Sequence, residues 1–359
     1  MKGSALGNRV VVQKRFLAEQ VIVVTGASSG VGRAVARLAG EQRARVVCAG
    51  RNGDGLAGAV REIEEAGGQA LAVELDVAVE DECHQLVERA VDAFGRIDSF
   101  VRSHMVSVYG EVGELQADEL RRVMDVNFLG SVYCFKAALP HLKESRGTFI
   151  DFNSALAYRG IPLQAPYCAS KAALRTFLES ARVELQHEGA GVDVCVLLPG
   201  AINTPHFDRV RQKLGLQPQP VPPIYQPEVF AEVVLHCCEH PYRELPIGWG
   251  AQKALWGQKL SPRLGDRVLR RNAWRSQTTG EPKPVGSPDN LFETLPGDPG
   301  AHGRFGDQAR PRTAWTTLRL HPTLAAAVAL VGLGTPAAVA KMARSNGRTH
   351  GIRRLTRIG

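Results

Sequence analysis

Residues 21–32 read VIVVTGASSGVG, and no other stretch limits the fold so strongly. Val21 to Val24 is an apolar, β-branched run of the kind that a strand buried on both faces requires. Gly26, Gly30 and Gly32 follow, and the segment from Arg33 to Ala39 carries a helical pattern. Strand, glycine-rich turn and helix in this order are the setting of a dinucleotide-binding fingerprint. Glycines let a pyrophosphate approach the backbone, and a helix N-terminus turns free N–H groups toward it. The spacing Gly-x-x-x-Gly-x-Gly is looser than Gly-x-Gly-x-x-Gly, so the flanking strand and helix carry much of the inference.

The next strand, Arg45 to Ala49, ends at Gly50-Arg51-Asn52. An acidic residue at such a strand end would take the ribose 2′-hydroxyl of NAD. Here the position holds Gly50, and the neighbouring Arg51 guanidinium suits a 2′-phosphate. NADP(H) is therefore expected in preference to NAD(H), with Arg33 as a second candidate for the phosphate.

Farther along, Tyr167 and Lys171 stand four residues apart, and Ser154 lies thirteen residues before the tyrosine. Residues spaced by four share a helix face. An ammonium beside a phenol lowers its pKa, so that Tyr167 is expected to exchange a proton near neutral pH. A hydroxyl at the same point can hydrogen-bond a carbonyl oxygen. Together these groups are the equipment for moving a proton while a hydride moves elsewhere.

With these pieces in order, residues 20–250 resemble a short-chain dehydrogenase/reductase. The matching pieces are TGASSGVG at 25–32, LeuAspVal at 75–77, Asn127 within MDVNFLG, Ser154, Tyr167 with Lys171, and Pro199-Gly200. The resemblance implies Tyr167 as catalytic acid/base, with Lys171 holding the nicotinamide ribose and depressing the tyrosine pKa. It gives Ser154 the substrate carbonyl and Asn127 a water linking the lysine to solvent. It puts Gly26, Ser28, Ser29, Gly30, Val31 and Gly32 at the pyrophosphate, and Asp76 and Val77 at the adenine. Pro199, Gly200, Ile202 and Thr204 would lie along the nicotinamide. One departure stands out. Where the family has Asn-Asn-Ala-Gly, this chain has Arg102-Ser103-His104-Met105. Either Arg102 reaches a phosphate and the loop shifts slightly, or cofactor binding is weakened.

Strands and helices alternate from Val21 to about Leu198, which predicts a doubly wound parallel sheet, a three-layer α/β/α sandwich of the Rossmann type. Residues 200–225 are rich in proline and glutamine and are expected to form a substrate lid with a mainly apolar lining, from Phe207, Leu214, Leu216, Ile224 and Tyr225, faced by 160–163. Residues 1–19 read as an N-terminal arm and 251–276 as an amphipathic helical extension. Residues 277–322 read as a Pro/Gly-rich linker, extended or disordered, with Leu291, Phe292 and Trp315 as anchors. Residues 323–359 combine an apolar helix, LAAAVALVGLGTPAAVA, with a basic tail. That stretch is short for a span, and a span would carry the basic tail across the membrane against the positive-inside rule. A helix lying on an anionic surface avoids the conflict.

The formal net charge of +8 sits largely in this C-terminal part, yet no nucleic-acid recognition motif accompanies it, so no specific nucleic acid is expected. The opening residues lack an apolar core and a cleavage site, and the seven cysteines show no Cys-x-x-Cys spacing. Both features read as a cytoplasmic enzyme with buried, reduced thiols. His236, Cys237, Cys238 and His240 lie in one helical run without a further ligand, so no metal is expected. The expected partners are a small carbonyl or alcohol substrate, lipophilic in character, and a second copy of the chain. Two rivals remain open from the residues: a catalytically weak NADP(H)-binding scaffold or sensor, and a membrane-surface reductase of lipophilic substrates.

Overall fold

Seven apolar runs pair into one sheet: β1 (Val21–Thr25), β2 (Arg45–Gly50), β3 (Gln69–Glu74), β4 (Ser99–Arg102), β5 (Thr148–Phe152), β6 (Asp193–Pro199) and β7 (Glu244–Ile247). In the computed structural model, which describes residues 14–320 and Thr323, their order is β3-β2-β1-β4-β5-β6-β7. All neighbours run parallel. Parallel strands need crossover helices, and these cover the sheet: α1 (Gly30–Glu41), α2 (Gly53–Glu65), α3 (Glu80–Phe94), α4 (Ala117–Met124), α5 (Gly130–Ser145), α6 (Ala165–Glu188) and α7 (Pro227–Glu239). β1, β4 and β5 are buried along their whole length. Phe100 stacks on Phe149 at 5.6 Å between ring centroids, and Phe135 meets Phe149 edge-on at 5.0 Å, which seats α5 on the sheet.

The strand order reverses between β1 and β4. Ligands of such sheets bind outside the carboxyl ends of the strands at that point. The turn from Gly26 to Gly32 and the loop from Ser103 to Met105 meet there.

The extension differs from the single amphipathic helix expected. It is two helices, α8 (Trp249–Leu260) and α9 (Pro262–Ser276), broken at Ser261. Pro262 lacks the N–H that a continuing helix would need, and its fixed φ suits the first turn of a new one. Leu255 and Ala273 face inward, while Leu260 and Leu264 are exposed.

Residues 277–313 follow a defined course. Thr278–Pro282 pairs antiparallel with Leu216–Pro218. The chain then runs extended across the carboxyl end of the sheet, pinned by Leu291, which is wholly buried, and by Phe305, whose ring meets Phe207 edge-on at 5.9 Å. Phe292 remains partly exposed. Contacts divide the chain after Thr313, and Ala314–Leu320 is a short helix of the second unit. The apolar stretch 324–340 and the tail after it lie outside the described residues, as do residues 1–13. Among the described residues no helix is long and apolar enough to cross a membrane.

Candidate active site

One cavity of about 490 Å³ opens at the strand-order reversal. Its wall contains Gly26, Ser28, Ser29, Gly30, Val31, Gly32, Arg51, Asp76, Val77, Ser154, Tyr167, Lys171, Pro199, Gly200, Ile202 and Thr204. Residues from six separate chain segments thus converge. Two glycines make that convergence sterically feasible. Gly26 has φ +75°, and a Cβ on it would lie 2.7 Å from the backbone nitrogen of His104. A Cβ on Gly32 would lie 2.2 Å from the Gly26 carbonyl oxygen. The α1 N-terminus opens on this wall, and Ser29 at its N-cap makes no side-chain capping bond. The Gly30 N–H donates to the Gly300 carbonyl at 3.1 Å; the first-turn N–H groups after it are suited to an anion.

Tyr167 and Lys171 lie in the first two turns of α6, which begins at Ala165-Pro166. The Lys171 Nζ stands 5.5 Å from the Tyr167 ring centroid and donates to the Phe152 carbonyl at 3.2 Å. Both side chains are buried. The expected depression of the tyrosine pKa is reversed. Burial pushes the Tyr167 phenol up to about 12, against the Ser154 hydroxyl and the Arg102 guanidinium, which pull it down. Burial acts on Lys171 as well. Burial, and then the charge of Arg102, hold its pKa well below the ordinary lysine value, so it supplies less positive charge than an exposed ammonium would.

Asn127 sits in a π-helical turn, Asp125–Leu129, between α4 and α5. It does not line the cavity. Its side-chain amide accepts from the Val106 N–H at 2.8 Å, donates to the Val106 carbonyl at 2.9 Å and donates to Ser170 Oγ at 3.1 Å. Its main-chain carbonyl accepts from Ser131 Oγ at 2.7 Å and from Arg102 Nη2 at 3.1 Å. Asn127 therefore ties the loop after β4 to α6. Such π-turns are frequent at functional sites.

Arg102 does not reach toward a phosphate. It is wholly buried beneath the Tyr167 end of the cavity, where it forms an ion pair with Asp151 at 3.3 Å. Nε donates to Ser131 Oγ at 2.7 Å, and Nη1 donates to the Phe152 carbonyl at 3.0 Å. The strand register explains this direction: Arg102 of β4 stands beside Asp151 of β5, so a charge in one buried strand meets its partner in the next. Arg102 and Lys171 share the Phe152 oxygen. The following residues do line the cavity. His104 Nδ1 lies 2.8 Å from Thr25 Oγ1 and Nε2 lies 3.2 Å from Ser131 Oγ. Burial, with Arg102 and Lys171, holds its imidazole far below the usual histidine pKa and therefore neutral. The loop has exchanged small polar residues for an internally satisfied cluster.

At the other end of the cavity, Arg51 donates to the carbonyls of Phe292 and Asn290, both at 2.7 Å. Burial, and then neighbouring Arg122, lower its pKa, and Asp76 only partly offsets them. Arg33 does not line the cavity. It is buried and committed to Glu62, Asp298 and the Gly55 carbonyl. Asn290, Thr294, Leu295 and Pro299 complete this wall, and sequence reasoning did not assign them a role there. Their one signal was the apolar pair Leu291-Phe292 in an otherwise polar run. The substrate side is lined by Ile161, Phe207, Val221, Tyr225, Leu269 and Ala273; Leu214, Leu216 and Ile224 of the expected lid are not in the wall.

Residues 20–215 match the family model described as short chain dehydrogenase. The uncharacterized oxidoreductase YxnA of Bacillus subtilis is 35% identical over 317 residues, 87% of this chain and 88% of that one. The 11-beta-hydroxysteroid dehydrogenase 1A of Arabidopsis thaliana is 33% identical over 192 residues, 52% of this chain and 53% of that protein. Among solved structures, an alcohol dehydrogenase from the archaeon Thermococcus sibiricus complexed with 5-hydroxy-NADP superimposes with a TM-score of 0.56 at 26% identity. That likeness covers 63% of this chain and 95% of the archaeal one. A Gly-rich turn after β1, a tyrosine and lysine one helical turn apart on α6, and relatives of this kind leave one assignment: the chain belongs to the short-chain dehydrogenase family of oxidoreductases.

Proposed function

We propose that this oxidoreductase uses NADP(H) to interconvert a carbonyl compound and a secondary alcohol. The observation that carries the reading is that one cavity joins the glycine-rich turn, Arg51 and the Ser154, Tyr167 and Lys171 set. The residues fit the nucleotide that the fold implies. Gly26 and Gly32 let the turn pack directly on the loop at 103–104, where a Cβ would clash, so that the turn lies along the cavity wall with its backbone toward the space a pyrophosphate would take. Arg51 donates to two carbonyls and stands 3.9 Å from the Asp76 carboxylate, which Arg122 also pairs; a guanidinium on this wall suits a 2′-phosphate better than a hydroxyl.

When bound, the nicotinamide supplies or accepts the hydride. The protein does the rest. Tyr167, protonated through the physiological range, donates its proton to the oxygen of a substrate carbonyl undergoing reduction. Ser154 hydrogen-bonds that oxygen and fixes its direction. Lys171 holds the ribose and stabilises the phenolate left behind. Asn127 acts by fixing Val106 and Ser170, not by touching the substrate. The apolar side of the cavity favours a lipophilic substrate.

The test compares the full chain with Tyr167→Phe. Calorimetry should show NADPH bound by both with similar affinity, and NADH bound more weakly. A carbonyl screen should find turnover lower in the variant by about 10²–10⁴-fold. Retained turnover in Tyr167→Phe overturns the acid/base assignment, and equal affinity for NADH and NADPH overturns the role given to Arg51.

A further inference from the structure

Residues 289–303 form a strap that lies against the adenosine end of the cavity and is fastened at both sides. On the side of α2, the Asn52 side chain donates to the Leu295 carbonyl at 2.7 Å, and Asp54 accepts from the Gly297 N–H at 2.9 Å. Asp298 takes the buried Arg33 guanidinium through both oxygens, at 3.0 and 3.1 Å. On the side of residues 203–209, Asn290 donates its N–H to the Arg209 carbonyl at 2.9 Å, and Gly303 donates to the Asn203 carbonyl at 3.4 Å. The strap also touches the fingerprint turn, since the Gly300 carbonyl accepts from the Gly30 N–H at 3.1 Å. Leu291 is wholly buried beneath it.

One atom in this arrangement has no protein partner. Asn290 lines the cavity between Arg51 and Arg209, and its Oδ1 is buried with no hydrogen-bond donor. A buried amide oxygen left unmade is costly, and such groups in native proteins usually meet a ligand or water. A turn of this side chain toward the cavity would offer its oxygen to donors that adenosine carries, the exocyclic amine and the ribose hydroxyls.

We infer that the strap is part of the nucleotide site, with the Asn290 amide as a ligand of the adenosine half, and that it is a clasp which the Arg33–Asp298 pair holds shut over the bound dinucleotide. The inference rests on the cofactor reading above and extends it beyond residues 20–215, the span of the family model. Entry and exit of the nucleotide then require the strap to lift, and dissociation is slow.

The experiment uses the full chain and NADPH. Equilibrium binding and the rate of NADPH release, followed by its fluorescence on chasing with excess NADP⁺, are measured for the parent, Asn290→Ala and Asp298→Ala. Asn290→Ala is expected to weaken NADPH binding about tenfold, chiefly through faster release. Asp298→Ala should speed association and release together, each by about tenfold, because the clasp opens more often. Hydrogen exchange supplies a second readout: NADPH should protect the amides of 290–300 in the parent and protect them less in Asn290→Ala. Variants that bind and release NADPH as the parent does, with no added protection of the strap, overturn the clasp alone. A parent that binds neither NADPH nor NADH overturns the cofactor reading and the clasp with it.

Discussion

The two ends of the cavity are held by different means. The catalytic end is held from within the sheet. Arg102, Asp151, Asn127 and Lys171 are all buried and lie on elements of the core; Arg102 pairs with Asp151 and bonds the Asn127 carbonyl, and it shares the Phe152 carbonyl with Lys171. The adenosine end is held by a returning strap, mostly through main-chain hydrogen bonds and ion pairs near the surface. A buried charge network is stiff and unforgiving, because any member removed strands the others without water. A strap held by discrete bonds to side chains of the domain opens as a unit when its fastenings weaken. Rigid geometry suits the end where a proton moves, and an element able to lift suits the end where a nucleotide must enter.

The largest expected effect tests the stiff end. Arg102→Leu leaves the Asp151 carboxylate buried without its cation and should cost about 3–5 kcal/mol in urea denaturation. Arg102→Asn with Asp151→Asn removes both charges and should recover most of that loss. A cost below about 1 kcal/mol for Arg102→Leu would mean that water reaches the pair, and the contrast between the two ends would weaken.

A second expectation concerns pH. Burial keeps Tyr167 protonated up to about 12. Carbonyl reduction, which needs the phenol, should therefore hold its rate between about pH 6 and pH 9, while alcohol oxidation, which needs the phenolate, should rise about tenfold per pH unit over the same range. The sign follows from the raised pKa: the acid form persists and the base form is scarce until the pH nears that value. An oxidation profile already flat near neutrality would show that Lys171 governs the phenol after all, and that the ordinary depression by an ammonium survives burial.

How much of this was legible in the sequence follows the same division. The turn Gly26 to Gly32, Ser154, Tyr167 and Lys171 stand at fixed separations along elements whose type is plain, and residues of that turn share one cavity with the other three. Arg102 was legible as a departure but not as a direction. Whether it faced nucleotide or interior depended on the register of β4 against β5, which no single stretch encodes. A signal was present in Asp151, a lone carboxylate inside the apolar strand ThrPheIleAspPhe. The depression expected of Tyr167 is reversed for a related reason: spacing places the lysine beside the phenol, but burial of the phenol, which the spacing does not reveal, outweighs the groups that lower its pKa. The strap has no periodicity at all. Its proline, glycine and aspartate content describes an extended chain equally well whether or not that chain is fastened, because what fastens it lies on distant residues such as Arg33, Asn52 and Arg122.

The smallest expected effect lies within the strap, between two neighbours. Leu291 is wholly buried, whereas Phe292 is 40% exposed and stacks beneath the Arg211 guanidinium at 5.0 Å. Leu291→Ala empties a core position and should loosen the strap by about 2 kcal/mol, the low end for such a change because the segment can settle locally. Phe292→Ala removes a partly solvated cation–π contact and should cost only about 0.5–1 kcal/mol. Hydrogen exchange of the amides of 290–300 measures both on the same scale as local opening. If the two variants open the strap equally, apolar anchoring does not set its stability, and the main-chain bonds to Arg51, Asn52 and Arg122 hold it alone. If Leu291→Ala instead unfolds the whole domain together with the strap, the adenosine end is as tightly coupled to the core as the catalytic end, and the difference between them is one of chemistry rather than of stiffness.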